Sequence, residues 1–524
     1  MNAETGSLPE TLLAGIWPSI PEVDPQATMS LTDLGNAKRF ALAHRDTTRY
    51  CHARRKWLNW DGRRWEFDDT LQVFRKAKAT AVGMLAEALA ELNDDNRKDI
   101  LSWQKQSESE PRIRAMISLA QSEEGIPIQL SDLDRNPWLF NCSNGTLDLK
   151  AGALRAFDKA DLNTKISPVA YDPEAKCPLW DAAVERIFDG NEALISYLQR
   201  WVGYCLTGST AEHALLLNWG SGANGKTTIV ETLRYIFADY CAQADFSTFL
   251  SAKNGGGIRN DIARLQGARL VTAVESEKNQ ALAESLIKSL TGGDQVTARF
   301  LYCEAKEFKP AFKLWLATNH RPVIRGTDTA IWRRIRLLAY MVQIPVAQRD
   351  KELVEKLKAE ASGILAWAVR GLREWQKQGL NDPPEVMAVT EEYRTEEDFL
   401  KDFFEERCIR DRKAVTLAKE LYKAYCDWCQ EVGEKPVSRK AFSSALDERG
   451  FTKKSGAMIS WRGVRLKDAL EVPELEDPAE LLKTVSKSGI CTDLETSRSI
   501  DREVEQGTIE ASSVPQQDEV EVEF

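Results

Sequence analysis

The apolar run Ala214-Leu215-Leu216-Leu217-Asn218-Trp219 leads directly into Gly220-Ser221-Gly222-Ala223-Asn224-Gly225-Lys226-Thr227, and then into a helical pattern from Thr228 to Phe237. This is G-x-x-x-x-G-K-[ST] in the strand–loop–helix setting that gives the pattern its meaning. The glycines let backbone N–H groups turn inward around phosphate oxygens, and the helix N-terminus adds partial positive charge. Lys226 is placed to reach the β and γ phosphates of a nucleotide, and the Thr227 hydroxyl to ligate Mg²⁺. The candidate nucleotide-binding residues are therefore Gly220, Ser221, Gly222, Ala223, Asn224, Gly225, Lys226, Thr227 and Thr228. A chance glycine-rich turn would have to acquire its flanking strand and helix by coincidence.

Such a loop needs an acidic strand end beside it. The run Arg269-Leu270-Val271-Thr272-Ala273-Val274 supplies one, delivering Glu275-Ser276-Glu277 at its tip. One carboxylate there can hold Mg²⁺ through water and a second can polarise an attacking water. Either Glu275 or Glu277 can fill either role, with Glu275 placed as the metal carboxylate beside Thr227. A third strand, Phe312 to Thr318, ends at Asn319-His320. A neutral amide there can sense a γ phosphate without adding negative charge. Ile331-Trp332-Arg333-Arg334-Ile335-Arg336 then supplies three guanidinium groups. Arginines donated across a subunit boundary stabilise charge on a transferring phosphoryl group.

Around these motifs the apolar runs alternate with helical patterns from about 213 to 342, as a parallel sheet with crossover helices requires. A length of 524 residues predicts several domains. The expected order is a mobile leader over 1–30 and an N-terminal domain with an aromatic hairpin over 31–170. A helical linker or collar follows over 171–212, then the ATPase core and helical lid over 213–376. A small domain over 390–470 and an acidic disordered tail over 471–524 complete the chain. Net charge is −10, but Glu471–Phe524 alone holds fifteen Asp/Glu against four Lys/Arg, which leaves the rest of the chain near neutral. The overall charge thus says little about a nucleic-acid partner, because fields act locally. No window approaches the roughly 18 apolar residues of a membrane span, and the N-terminus lacks a secretory pattern. The scattered cysteines fit a reducing cytosol.

In their order, the phosphate loop, the Glu-x-Glu strand end, Leu316-Ala317-Thr318-Asn319-His320 and Trp332-Arg333-Arg334-Ile335 resemble a superfamily 3 helicase. The likeness is closer to the phage and plasmid primase-helicase group, whose relatives include the poxvirus primase-helicase. Lys288 to Asp294 with Ala298 to Tyr302, Arg321-Pro322, Arg325 to Asp328, Asn144 to Asp148 and Trp201 to Tyr204 are also similar to that group. The resemblance implies an α/β fold: an AAA+-type P-loop ATPase core with a helical N-terminal domain and a C-terminal winged-helix domain. It implies ATP and Mg²⁺ as cofactors, a homo-hexameric ring, and 3′-to-5′ movement on single-stranded and forked DNA. The setting would be replication of a phage, prophage or plasmid, in the cytoplasm of a bacterial host or virus-infected cell. By the same resemblance Lys226, Glu275, Glu277 and Asn319 are catalytic. Arg334 best matches the arginine finger, with Arg333 and Arg336 as rivals. Arg299, Tyr302 and Lys306 fall where relatives carry a hairpin that grips single-stranded DNA. The first 150 residues show no primase motif, so priming is expected from a separate primase or polymerase. A primase-helicase with priming activity, and an origin-melting initiator ATPase, are the alternatives.

From 396 to 468, helical patterns are followed by a basic alternation. Ser438 can cap a helix beginning at Arg439, and the whole resembles a winged helix. Arg439, Lys440, Lys453 and Lys454 are its candidate DNA contacts, with Arg462 and Arg465 beside them. Cys426 and Cys429 have metal spacing but no companion pair, so core packing is expected. The tryptophans at 57, 60 and 65 are expected to build a core rather than stack on bases.

Overall fold

The computed structural model describes residues 29–251, 260–274, 280–298, 306–324, 326, 329–456 and 458–467. The leader and the acidic tail fall outside them.

The N-terminal part pairs a helical layer with two small antiparallel sheets. Helix α1 (Asp33–His44) is capped by Thr32, whose hydroxyl accepts from Gly35 N at 3.1 Å. Strands β1 (Thr48–Cys51), β2 (Lys56–Trp60) and β3 (Trp65–Phe67) form a meander, and Asp61-Gly62 turns β2 into β3 with Trp60 opposite Trp65. Trp57 and Trp65 are buried, as a core role requires. Helix α2 (Gln72–Ala90) buries Val73, Ala77, Ala81, Met84 and Ala88, one stripe at helical spacing. The next segment forms two helices, α3 (Asp94–Ser107) and α4 (Glu110–Ala120). Pro111 stands in the first turn of α4, where its missing N–H costs nothing. Strands β4 (Leu139–Cys142), β5 (Gly145–Asp148) and β6 (Ala153–Arg155) form the second sheet, with β4 turned into β5 at Ser143-Asn144.

Helices α5 (Pro178–Ile187) and α6 (Glu192–Cys205) lead into β7 (Leu215–Trp219) and α7 (Lys226–Phe237). Then come β8 (Cys241–Gln243), α8 (Asn260–Ala263), β9 (Leu270–Val274), α9 (Glu284–Gly292), β10 (Val296–Ala298), β11 (Lys306–Phe308), β12 (Lys313–Thr318), α10 (Thr329–Trp332) and β13 (Ile335–Ala339). Five of these strands make one parallel sheet in the order β13-β7-β12-β9-β8. All six residues of β12 are buried, the continuous apolar reading expected of a strand covered on both faces. Strands β10 and β11 form a separate antiparallel hairpin.

Helices α11 (Leu353–Ala359) and α12 (Ala361–Gln378) occupy the segment expected to be a lid. Eleven residues of α12 are buried, and it packs along α6. The two backbones approach so closely that a Cβ on Gly203 would stand 2.1 Å from Leu372 N, and one on Gly371 2.0 Å from Gln199 O. Helix α13 (Pro384–Glu396) runs through residue 390, where a domain boundary was expected. Tyr393 lies in the core of the parallel sheet and its hydroxyl donates to Pro322 O, so this helix packs with the sheet. Helix α14 (Lys401–Arg407), β14 (Cys408–Leu417), α15 (Ala418–Val432), α16 (Arg439–Glu448), β15 (Thr452–Lys454) and β16 (Ser460–Leu466) close the described chain, with strand order β14-β16-β15.

Candidate functional site

The register aligns the C-terminal ends of three neighbouring strands: Thr318 of β12 lies opposite Trp219 of β7, and Ala317 opposite Val274 of β9. A crevice outside the carboxyl ends of parallel strands is where such sheets bind ligands. The glycine-rich loop leaves β7 at this edge and enters α7. Gly222 and Gly225 have φ of +99° and +84°, and Ala223 has +53°, so the loop curls through left-handed backbone. Gly225 has a second constraint. A Cβ there would lie 2.4 Å from Ile187 Cδ1, because the end of α5 packs against the loop.

Lys226 lies inside this curl. Its ammonium donates to Gly220 O at 2.6 Å, Asn224 Oδ1 at 3.1 Å and Asn319 Oδ1 at 3.2 Å. All three acceptors are neutral. Burial lowers the Lys226 pKa to about 8, and no carboxylate pairs with it among the described residues. A buried cation satisfied only by carbonyl oxygens is a cation for which a phosphate would be the better partner. The contact also joins two motifs that are 93 residues apart in sequence. Thr227 is exposed in the first turn of α7, and Thr228 is half-buried.

A clasp holds the loop from outside. Asn224 Nδ2 donates to Tyr340 O at 3.1 Å, Ile344 N to Ala223 O at 2.8 Å and Gln343 Nε2 to Ser221 Oγ at 3.0 Å. The Arg321 guanidinium stacks 4.2 Å from the Trp219 ring centroid and pairs with Glu396 at 2.5 Å, bracing the end of β7. Sequence reading did not foresee the clasp formed by residues 340–344. Nothing local marks it, since its partners are more than 100 residues away.

Strand β9 reaches this edge at Val274, but Glu275 and Glu277 lie outside the described residues, as do Arg299 and Tyr302. Lys306 is described in backbone only, as the first residue of β11. The three arginines differ sharply. Arg334 is buried at the opposite end of the sheet, where its Nη1 donates to Ala330 O at 2.6 Å. Arg336 pairs with Asp382. Arg333 is exposed.

In the C-terminal part, Ser438 caps α16 by accepting from Ala441 N at 3.3 Å. Arg439, Lys440, Lys453, Lys454 and Arg462 are all exposed, and Arg439 lies over the Tyr422 ring at 5.2 Å. Arg465 approaches Asp411 at 4.0 Å. Cys429 is buried in α15, and among the described residues no cluster of metal-ligating side chains occurs.

Known proteins resemble this chain in sequence. A family model described as D5 N terminal like matches residues 37–189, and a family of unknown function matches 219–334. "Putative helicase L207/L206" of Acanthamoeba polyphaga mimivirus is 27% identical over 326 residues, covering 58% of this chain and 34% of its own length. "Putative primase C962R" of African swine fever virus (strain Badajoz 1971 Vero-adapted) is 26% identical over 331 residues, covering 57% of this chain and 34% of its own length. The chain thus spans about a third of the length of these relatives. In overall backbone it overlays on the apo NrS-1 C terminal region with a TM-score of 0.45 at 11% identity, covering 80% of this chain and 96% of that one. The D5-type N-terminal match and the viral helicase and primase relatives make the chain similar, at low identity, to D5-like primase-helicases.

Proposed function

We propose that the chain is the ATP-driven motor of a replicative DNA helicase, with a P-loop ATPase core of the AAA+ type. The observation that carries this reading is the buried Lys226, held by its own loop and by Asn319, with no carboxylate paired to it among the described residues. On triphosphate binding, Lys226 would exchange Gly220 O for phosphate oxygens. Asn319, already at the same ammonium, would then report the γ phosphate to the end of β12. Mg²⁺, held by the Thr227 hydroxyl and through water by Glu275, would supply charge neutralisation between the β and γ oxygens. Glu275 or Glu277 would orient the attacking water.

In this reading the protein is a homo-hexameric ring. The finger comes from a neighbouring subunit, because the arginines stand at the far end of the sheet from Lys226. Arg333 is the one of the three presented outward, whereas Arg334 is buried in its own subunit. Single-stranded and forked DNA are the partners, gripped by Arg299, Tyr302 and Lys306 and moved 3′ to 5′. The C-terminal domain would act as a winged helix, with α16 in a groove and Lys453 and Lys454 on the backbone. The name of the African swine fever virus relative favours one second reading, a motor that works with a primase elsewhere in the same protein or in a separate one.

The test is displacement of a labelled strand from 3′-tailed and 5′-tailed forks, with and without ATP, beside Lys226→Ala. The expected result is ATP-dependent displacement of the 3′-tailed fork, reduced by about 10²-fold or more in the variant. ATP turnover with no displacement of either fork would refute the helicase reading.

A further inference from the structure

A cleft of about 550 Å³ lies at the opposite, N-terminal edge of the parallel sheet. The loops that enter β7, β9 and β12 line it. So do Gly292-Gly293 and Lys309-Pro310-Ala311, the segments that run into β10 and out of β11. The lining is basic: Arg135, Lys165, Arg269 and Lys309 stand against one carboxylate, Asp134. That carboxylate is already engaged, accepting from Thr164 N at 2.7 Å and from the Thr164 hydroxyl at 2.5 Å.

The cations divide by job. Arg269 is buried and structural, donating to Leu206 O and Leu139 O at 2.6 Å each. Behind it Lys313, also buried, donates to Thr207 O and Ser209 O. Neither makes a salt bridge among the described residues, and the Asp134 charge acts on Arg269 from within the same lining. Lys165 reaches only a carbonyl, Asp239 O, at 3.0 Å. Arg135 and Lys309 are exposed, and their side chains have neither ion pair nor hydrogen bond among the described residues. A concave, low-dielectric surface with cations of one sign concentrates anions.

The lining also shows what kind of anion fits. Of its two aromatic rings, Tyr240 is 1% exposed with its hydroxyl occupied by Asn141 N and Lys165 O, and the exposed His213 is tied through Nδ1 to Thr291 O at 3.0 Å. The lining thus presents a base with no large exposed aromatic face. The Gly208-Ser209-Thr210-Ala211 and Gly292-Gly293 segments leave the main chain open to close approach. We propose that this cleft is a phosphate-backbone site for single-stranded DNA, in which Arg135, Lys165 and Lys309 contact phosphates at the root of the β10–β11 hairpin. The inference rests on the DNA-motor reading for its ligand. It concerns the edge of the sheet away from the nucleotide, and it predicts contact without sequence preference.

The experiment is fluorescence anisotropy of a labelled oligothymidylate on the full chain across a salt series. It compares the wild type, Arg135→Ala/Lys309→Ala and Lys226→Ala. Both replaced side chains are exposed, and thermal midpoints verify that the double variant is folded. Two lost phosphate contacts should weaken binding and lower the salt slope by about 1.4, at roughly 0.7 per contact for a single strand. Lys226→Ala should keep the wild-type slope. An unchanged slope and affinity in the double variant would overturn the proposal. So would loss of inorganic triphosphate binding, measured calorimetrically, when Arg135→Ala/Lys309→Ala is added to the Lys226→Ala background, with oligothymidylate binding intact. That result would assign the cleft to a free phosphate compound. If forks are not displaced but the slope falls as stated, the motor reading fails and the cleft stands. If forks are displaced with an unchanged slope, the reverse holds.

Discussion

Glycine-to-alanine substitution should have opposite signs at two helical positions of this chain, and the sizes follow from geometry. In an exposed helix interior alanine is favoured over glycine by about 1 kcal/mol, because glycine loses more backbone freedom on folding. At Gly83 in α2 an added Cβ meets nothing within 4 Å, so Gly83→Ala should collect that gain, about 0.5–1 kcal/mol. Gly203 in α6 carries the same intrinsic gain. Its Cβ, however, would lie 2.1 Å from Leu372 N, 2.6 Å from Ala368 O and 2.6 Å from Gly371 C. These are backbone atoms of α12 and cannot rotate away. Ordinary contact would require the two axes to part by more than about 1 Å, opening a seam that holds Trp201, Leu365 and Leu372. Overpacking costs typically about 1–3 kcal/mol and here stands at the upper end, because no side chain can yield. Subtracting the propensity gain leaves Gly203→Ala destabilised by about 2 kcal/mol. Hydrogen exchange resolved by peptide is the suitable assay, because a chain of several domains need not unfold in one step. Protection should rise in α2 peptides of Gly83→Ala and fall about 30-fold in α6 and α12 peptides of Gly203→Ala. Equal protection gains in both variants would refute the close approach of α6 and α12.

Two further outcomes follow from the Lys226 cluster. Asn319→Asp places a carboxylate where an amide oxygen now stands 3.2 Å from the ammonium. It should pair with Lys226 and compete with phosphate, so ATP turnover should fall by about 10²-fold while the thermal midpoint holds or rises. Undiminished turnover would remove Asn319 from the site. The Lys226 pKa, lowered by burial to about 8, sets a pH dependence. The charged form binds triphosphate, so affinity should be flat below pH 8 and fall by up to about tenfold per unit above it, with proton uptake on binding. For stability the sign is opposite. The cost of burying the charge is full below the folded pKa and is relieved as pH rises from about 8 toward 10.5. Calorimetry at pH 8.5 in buffers of different ionisation enthalpy checks the uptake, and buffer-independent heats would contradict it.

What could be read from the residues was local. The strand β7, its glycine-rich loop and helix α7 are contiguous, and each residue type there is demanded by backbone geometry within a few positions. The Ser438 cap was legible for the same reason. Helix boundaries were less so. The break between α3 and α4 was signalled by Pro111, but apolar periodicity continues across it and masks the signal.

Burial was not legible, and burial separates the arginines. Arg333 and Arg334 are adjacent, identical in type and equally close to the motif pattern. One faces water and the other is enclosed because Arg334 points back under α10 to Ala330 O. The choice is made by tertiary packing that no short window contains. The basic cleft is the same problem at larger scale. Arg135, Lys165, Arg269 and Lys309 are spread over 175 residues, each unremarkable in its own surroundings. Arg269 and Lys309 converge because parallel strands bring their entering loops to one edge of the sheet, just as they bring Lys226 and Asn319 together at the other, while Arg135 and Lys165 come from the segments before β4 and after β6. A fold of this kind gathers distant charges at both edges by construction. Cations without salt-bridge partners among the described residues, at both edges, are therefore the observation on which the proposed nucleotide site and the proposed strand site both rest.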